Sequence, residues 1–406
     1  MNKYLPPANR RIAFIDGLRG YGALGVFIIH VGGLVFRPIH PYFNWLVDMG
    51  KEGIVVFFFI SAFSVCLSID RMKRFDFKSY LWNRYVRLAP LYYAILAVAV
   101  VFSYIVNKTW YTKSLADVVT HLTFTNLDFV NNAAQTSILG VEWTMPIIFL
   151  FYLVIPPLYF LGKRNIIALI AATIGGAAVY FYEYGSISKW YAFNPIFRER
   201  GSPLNYLFTY LFAVTIFWLY KKRVVFKSIG WKSIFYLLSF IGILIMIVHN
   251  SSIFQIKLVF LIFGSFLYVF YIKPLLISLR WRRTKTLLFI LESIGLLGIF
   301  FYYMVNRYID HMPLVTLYLG LFVYSNLLYT PGIISALFEN RIIRFIGNIS
   351  YAFYLMHVII ASYYDRWTTG IFQQLYVRFF LILMITVGAS YIFTRYSTYR
   401  TNRNKR

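Results

Sequence analysis

Arg19 and His30 stand eleven positions apart in the run Arg11-Ile-Ala-Phe-Ile-Asp16-Gly-Leu-Arg19-Gly-Tyr-Gly-Ala-Leu-Gly-Val-Phe-Ile-Ile-His30. Eleven residues are about three turns of α-helix, so a continuous helix sets both side chains on one face, roughly 16 Å apart along its axis. Imidazole is the commonest general base near neutral pH, and a guanidinium grips anions with a planar fork of donors. Asp16, three residues before Arg19, can orient that arginine through a charge-assisted hydrogen bond. The run around them is apolar enough to cross a bilayer, where a charged side chain near the centre costs roughly 2.5–3.5 kcal/mol. For His30 the residues alone leave two readings open, a reacting group or a satisfied packing residue.

Three further clusters carry chemistry-bearing types. Lys78-Ser-Tyr-Leu-Trp-Asn-Arg84-Tyr-Val-Arg87-Leu-Ala-Pro90 holds Arg84 and Arg87 three apart, neighbours on a helix. Such a pair fits a phosphate-bearing cofactor, or serves only to set topology as a cytoplasmic basic block. In Gly347-Asn-Ile-Ser350-Tyr351-Ala-Phe-Tyr354-Leu-Met-His357, positions 350, 354 and 357 share a helix face. That hydroxyl, phenol and imidazole stripe suits either sugar binding and proton relay or hydrogen bonding between helices. Glu142-Trp143-Thr-Met-Pro146 opens an apolar span, with Glu142 placed to favour a helix macrodipole. The remaining histidines show no metal-ligand spacing, so no metal site is expected.

The elements that must hold these residues are membrane helices. Of 406 residues, 60% are hydrophobic and only 13% charged, against about a quarter charged in soluble domains. Apolar runs near 12–36, 52–69, 88–106, 143–161, 166–182, 204–220, 233–248, 253–272, 286–305, 313–330, 350–364 and 376–394 predict an all-α polytopic membrane protein. Ten to twelve transmembrane helices are expected, because the pairs within 233–272 and 286–330 can each merge. Threading the runs alternately from a cytoplasmic N-terminus puts well over half of the 40 Lys and Arg residues in inside segments. Both termini are therefore expected in the cytoplasm. The same bias accounts for the net charge of +26 without a nucleic-acid partner. Cys66, the single cysteine, excludes an internal disulfide and Cys-based metal or redox motifs. Asp16, Arg19 and the glycines of the first span argue against a removable leader. The membrane domain is expected over 1–394, followed by a basic cytoplasmic tail over 395–406.

Taken in order, these clusters resemble the acyltransferase 3 family of bacterial integral-membrane O-acyltransferases. Ile15-Asp16-Gly17-Leu18-Arg19-Gly20 with His30 is similar to the family's opening Leu-Asp-Gly-Leu-Arg-Gly and helix-borne histidine, with the same spacing. Phe57-Phe-Phe-Ile-Ser61-Ala62-Phe63 resembles its Phe-Phe-Val-Leu-Ser-Gly-Phe, and Arg84-Tyr-Val-Arg87-Leu-Ala-Pro90 its Arg-x-x-Arg element. The 347–357 stretch is similar to its late Gly-Arg-Ile-Ser-Tyr-Ser-Leu-Tyr-Leu-Trp-His. One departure stands out: where the family commonly has a glutamate after Trp-Ser-Leu-x-Val, this chain has Ile148.

The resemblance implies transfer of an acyl group, usually acetyl from cytoplasmic acetyl-CoA, to a carbohydrate hydroxyl at the outer face of a bacterial inner membrane. It assigns Arg84, Arg87 and Arg19 to the coenzyme A phosphates. His30, with Arg19 and Asp16, becomes the catalytic group, as general base or acyl carrier. Tyr351, Tyr354, His357, Glu142 and Trp143 are candidates for the acceptor side. Two other classes compete: a transporter or flippase for a lipid-linked saccharide, and a glycosyltransferase using Glu142 as an outward-facing carboxylate.

Overall fold

The computed structural model describes residues 12–37, 44, 47–48, 50–107, 115–125, 138–185, 203–222, 312–328 and 332–403. Regular structure among them is entirely helical, as a bilayer requires of any open chain whose backbone groups must bond internally. Helix α1 runs from Ala13 to Phe36 through a π turn, followed by α2 (Gly53–Asp70) and α3 (Phe77–Asn107). A short α4 (Leu115–Thr123) precedes α5 (Thr144–Arg164), α6 (Ile166–Gly185) and α7 (Leu207–Lys222). The C-terminal part holds α8 (Met312–Leu328), α9 (Gly332–Phe338), α10 (Arg341–Trp367) and α11 (Leu375–Arg403). Seven helices among the described residues are long and apolar enough to cross a membrane, and the protein is a multi-pass membrane protein. The expected spans at 233–248, 253–272 and 286–305 lie outside the described residues.

Local sequence explains several boundaries. The apolar run of the third span begins near residue 88, with Pro90 at its start, but α3 begins at Phe77, because the Asp76 carboxylate accepts the Ser79 N–H at 2.9 Å and caps the first turn. Pro90 therefore falls inside the helix, a position that neighbouring helices make tolerable in a membrane. The basic cluster of 78–87 becomes the first turns of a transmembrane helix rather than a loop before it. Asn165 breaks α5 from α6, accepting the N–H groups of Ile167 and Ala168. Asn340 caps α10 in the same way through Ile343 N–H at 2.9 Å.

Helix α1 lies between α10 on one side and α2 on the other. Both seams are built on glycine. A Cβ on Gly347 of α10 would overlap the Asp16 carbonyl oxygen, and one on Gly53 of α2 the Gly22 carbonyl. Without side chains in the way the backbones meet, which is how small residues pack membrane helices. Helix α7 packs on α2, α6 and α8, and α11 packs on α10 and on the C-terminal part of α1. Helix α4 folds back onto α3, where Tyr93 Oη donates to the Leu122 carbonyl. Just beyond it Phe124 holds a left-handed φ of 55°, an unusual state for a bulky residue that only its surroundings can impose. Those surroundings are stacked rings, with Phe149 at 4.9 Å and Tyr93 at 5.8 Å between centroids.

Candidate active site

Helices α1, α2, α3, α5 and α10 line a half-open cavity of about 160 Å³. Its charge comes from three arginines, Arg19 of α1 and Arg84 and Arg87 of α3. Arg19 is held from two sides: Nη1 lies 3.1 Å from Asp16 Oδ1 and Nη2 donates to Ser64 Oγ of α2. Asp16 is itself buried, so the carboxylate fixes the fork while the rest of the guanidinium faces the cavity. Arg84 is also buried. Its guanidinium stands 5.4 Å from the Tyr80 ring centroid and 5.6 Å from that of Tyr152, within cation–π range of both. Little water reaches a guanidinium so placed, which strengthens its pull on an anion.

The opposite wall belongs to α10 and the start of α5. Ser350, Tyr351 and Tyr354 line the cavity. Tyr351 Oη donates to the Leu88 carbonyl at 3.1 Å, which ties α10 to α3. Tyr354 Oη donates to the Val141 carbonyl at 2.9 Å and accepts from Thr144 Oγ1 at 3.1 Å. Ile148, one turn into α5, lines the same cavity. An apolar side chain therefore sits at this wall of the arginine-bearing cavity.

His30 lies one step beyond Tyr354, in the π turn Ile28–Gly32. There the Gly33 N–H bonds the Ile28 carbonyl five residues back, which widens the helix locally, a distortion that often accompanies function. His30 Nδ1 is 2.9 Å from the Val26 carbonyl and 3.1 Å from His357 Nε2. His357 is fully buried, and its Nδ1 is 2.7 Å from the Tyr354 carbonyl. The His30 ring is otherwise exposed. Two sequence clusters 327 positions apart thus meet at one imidazole pair.

The structure brings together Arg19, Arg84, Arg87, Tyr351 and Tyr354 around one cavity, with Asp16 holding Arg19, while His30 and His357 pair with each other outside its lining, one turn along α10 from Tyr354. Glu142 and Trp143 stand apart from the lining. Glu142 is buried, accepting the backbone N–H groups of Ile138 and Leu139, with His121 Nε2 at 3.7 Å. Burial alone would raise its carboxyl, but the nearby His121 ring and the hydrogen bonds from the backbone of its own turn outweigh that and hold it below the ordinary carboxylate range. It braces the entry to α5. Trp143 packs on Tyr206 at 6.2 Å between centroids. Two parts of the site were missed in the sequence, Ser64 and the π turn. Ser61 and Ser64, three apart in apolar α2, are a polar pair on one face that points to Ser64; no residue signal announces the π turn.

A family model described as an acyltransferase domain, of the acyltransferase 3 type, matches residues 12–250. No curated protein and no solved structure matches the chain.

Proposed function

The chain belongs to the acyltransferase 3 family, and from that premise we propose that it transfers an acetyl group from cytoplasmic acetyl-CoA to a carbohydrate hydroxyl at the outer face of a bacterial inner membrane. In this reading both termini are cytoplasmic, residues 1–394 form the transferase and 395–406 a basic tail. Arg19, Arg84 and Arg87 hold the coenzyme A phosphates by charge-assisted hydrogen bonds. The thioester end extends toward Tyr354 and His30. His30 Nε2 takes the proton of the acceptor hydroxyl as its oxygen attacks the thioester carbonyl. The carbon–sulfur bond breaks, and the departing thiolate takes that proton back from His30. Tyr351 and Tyr354 form the wall along which the two substrates meet, and the acceptor is a cell-surface or lipid-linked saccharide.

The observation that supports this reading is the placement of three arginines on one cavity whose lining includes Tyr354, one helical turn from the His357–His30 pair. The test is acetyl-CoA turnover by purified protein with a saccharide acceptor. His30→Ala is expected to lose about 10²–10⁴-fold in kcat, the usual worth of a general base. Arg84→Ala is expected to raise the KM for acetyl-CoA. Full turnover by His30→Ala would refute the assignment of His30, and an inactive wild type with a verified acceptor would refute the activity.

A further inference from the structure

The imidazole pair has a direction that follows from its partners. A carbonyl oxygen can only accept, so the Val26 carbonyl at 2.9 Å requires His30 Nδ1 to carry the proton. The Tyr354 carbonyl at 2.7 Å requires the same of His357 Nδ1. His357 Nε2 is then a bare lone pair in the neutral ring, 3.1 Å from His30 Nδ1, whose one hydrogen is shared between it and the Val26 carbonyl. The reverse assignment would turn the lone pair of His30 Nδ1 against that of the Val26 carbonyl. His30 Nε2 is left as the basic nitrogen, and among the described residues no hydrogen bond occupies it.

We infer that His357 is a positioning residue for the transfer, a neutral acceptor that fixes the His30 ring through Nδ1 and steadies its charge when Nε2 takes up a proton. The inference rests on the reading of His30 as the base. During transfer the acceptor hydroxyl loses its proton to His30 Nε2, the thioester carbon–sulfur bond breaks, and the thiolate recovers that proton. His30 passes from neutral to imidazolium and back, while His357 neither gains nor loses a proton. The imidazolium strengthens its Nδ1–H donation, and the lone pair of His357 is there to receive it. Phe27 and Phe353, at 6.3 Å and 6.5 Å between centroids, wall His357 in, so no water competes for that lone pair and the bond is the stronger for it. The arrangement has the logic of a base oriented by a third group, with a neutral imidazole where a carboxylate often stands.

Two substitutions separate this role from simple packing. His357→Phe keeps the ring volume among aromatic neighbours and removes the acceptor. His357→Gln returns an acceptor oxygen near the position of Nε2. The expected result is a loss of kcat of at least tenfold in His357→Phe with the KM for acetyl-CoA unchanged, and recovery to within a few-fold of wild type in His357→Gln. Proton NMR of histidine-labelled protein, with His30→Ala assigning the signal, should show the His30 Nδ1–H resonance moving upfield in His357→Phe and returning in His357→Gln. Full kcat in His357→Phe, a glutamine variant no better than phenylalanine, or an unmoved His30 resonance overturns the inference. Full activity in His30→Ala instead removes the base itself, and the NMR comparison then decides whether His357 holds that ring.

Discussion

Replacing Gly347 by alanine measures how far the site depends on backbone contact between α1 and α10. A Cβ at 347 would overlap the Asp16 carbonyl oxygen and come within 3.3 Å of the Gly20 nitrogen. Both obstacles are main chain, so no side chain can turn aside and the helices must part by about 1 Å, enough to forfeit up to half of each contact's attraction. Overpacking costs about 1–3 kcal/mol, and a rigid obstacle belongs at the upper end. Alanine's helix preference over glycine returns about 1 kcal/mol, leaving a net loss of about 2 kcal/mol. At about 2–4 °C per kcal/mol for chains of 150–250 residues, and less for a longer one, Tm should fall by up to about 4 °C. Gly388 of α11 is the control, because a Cβ there meets nothing within 4 Å and its alanine variant should gain about 1 kcal/mol. Cys66, the single cysteine and fully buried, supplies the assay: a thiol-reactive fluorogenic dye reports unfolding only when that core opens. Turnover should fall with Tm in Gly347→Ala, since the displaced Asp16 carries Arg19 with it. Equal melting of Gly347→Ala, Gly388→Ala and wild type would refute the claim that the seam sets the site.

Two further outcomes are expected. Arg84→Lys keeps the charge but loses the planar fork and its stacking between Tyr80 and Tyr152; steady-state kinetics should show the KM for acetyl-CoA raised about tenfold, equivalent to about 1.4 kcal/mol, with kcat little changed. Glu142→Gln should change the pH dependence of stability. A carboxyl held below its ordinary value of 4.5 in the folded protein contributes stability that is fully present above that value and is lost as pH falls through the lower, folded one. Melting curves of the glutamine variant should therefore lie below wild type at neutral pH and converge with it in acid, and parallel curves at all pH values would refute the brace.

The chemistry-bearing clusters were visible in the sequence because each is local. A charge in an apolar run is conspicuous whatever packs on it, and spacing along one helix places Arg19 near Asp16, and Arg84 near Arg87. Helix boundaries were less legible: Pro90 looked like a start until the Asp76 cap moved α3 back to Phe77. Glu142 was open to two readings, a helix-end carboxylate or an outward-facing one, and its enclosure by its own turn and His121 lay beyond any local pattern. The difference lies in partners that no pattern along one segment can display.

The sequence by itself determined the solvent this chain lives in, the helical class, and the residue types available for acyl transfer, since hydropathy and periodicity are sums over neighbours in the chain. Only the tertiary structure decided which of them face one another. The glycine seams bring α10 against α1, and that approach sets Arg19 over the cavity and His357 against His30 across 327 positions. The proton on His30 Nδ1, and hence the basic nitrogen of the pair, follows from the Val26 carbonyl, as the proton on His357 Nδ1 follows from the Tyr354 carbonyl. Such contacts arise from packing between helices, where a shift of about 1 Å decides whether a hydrogen bond exists.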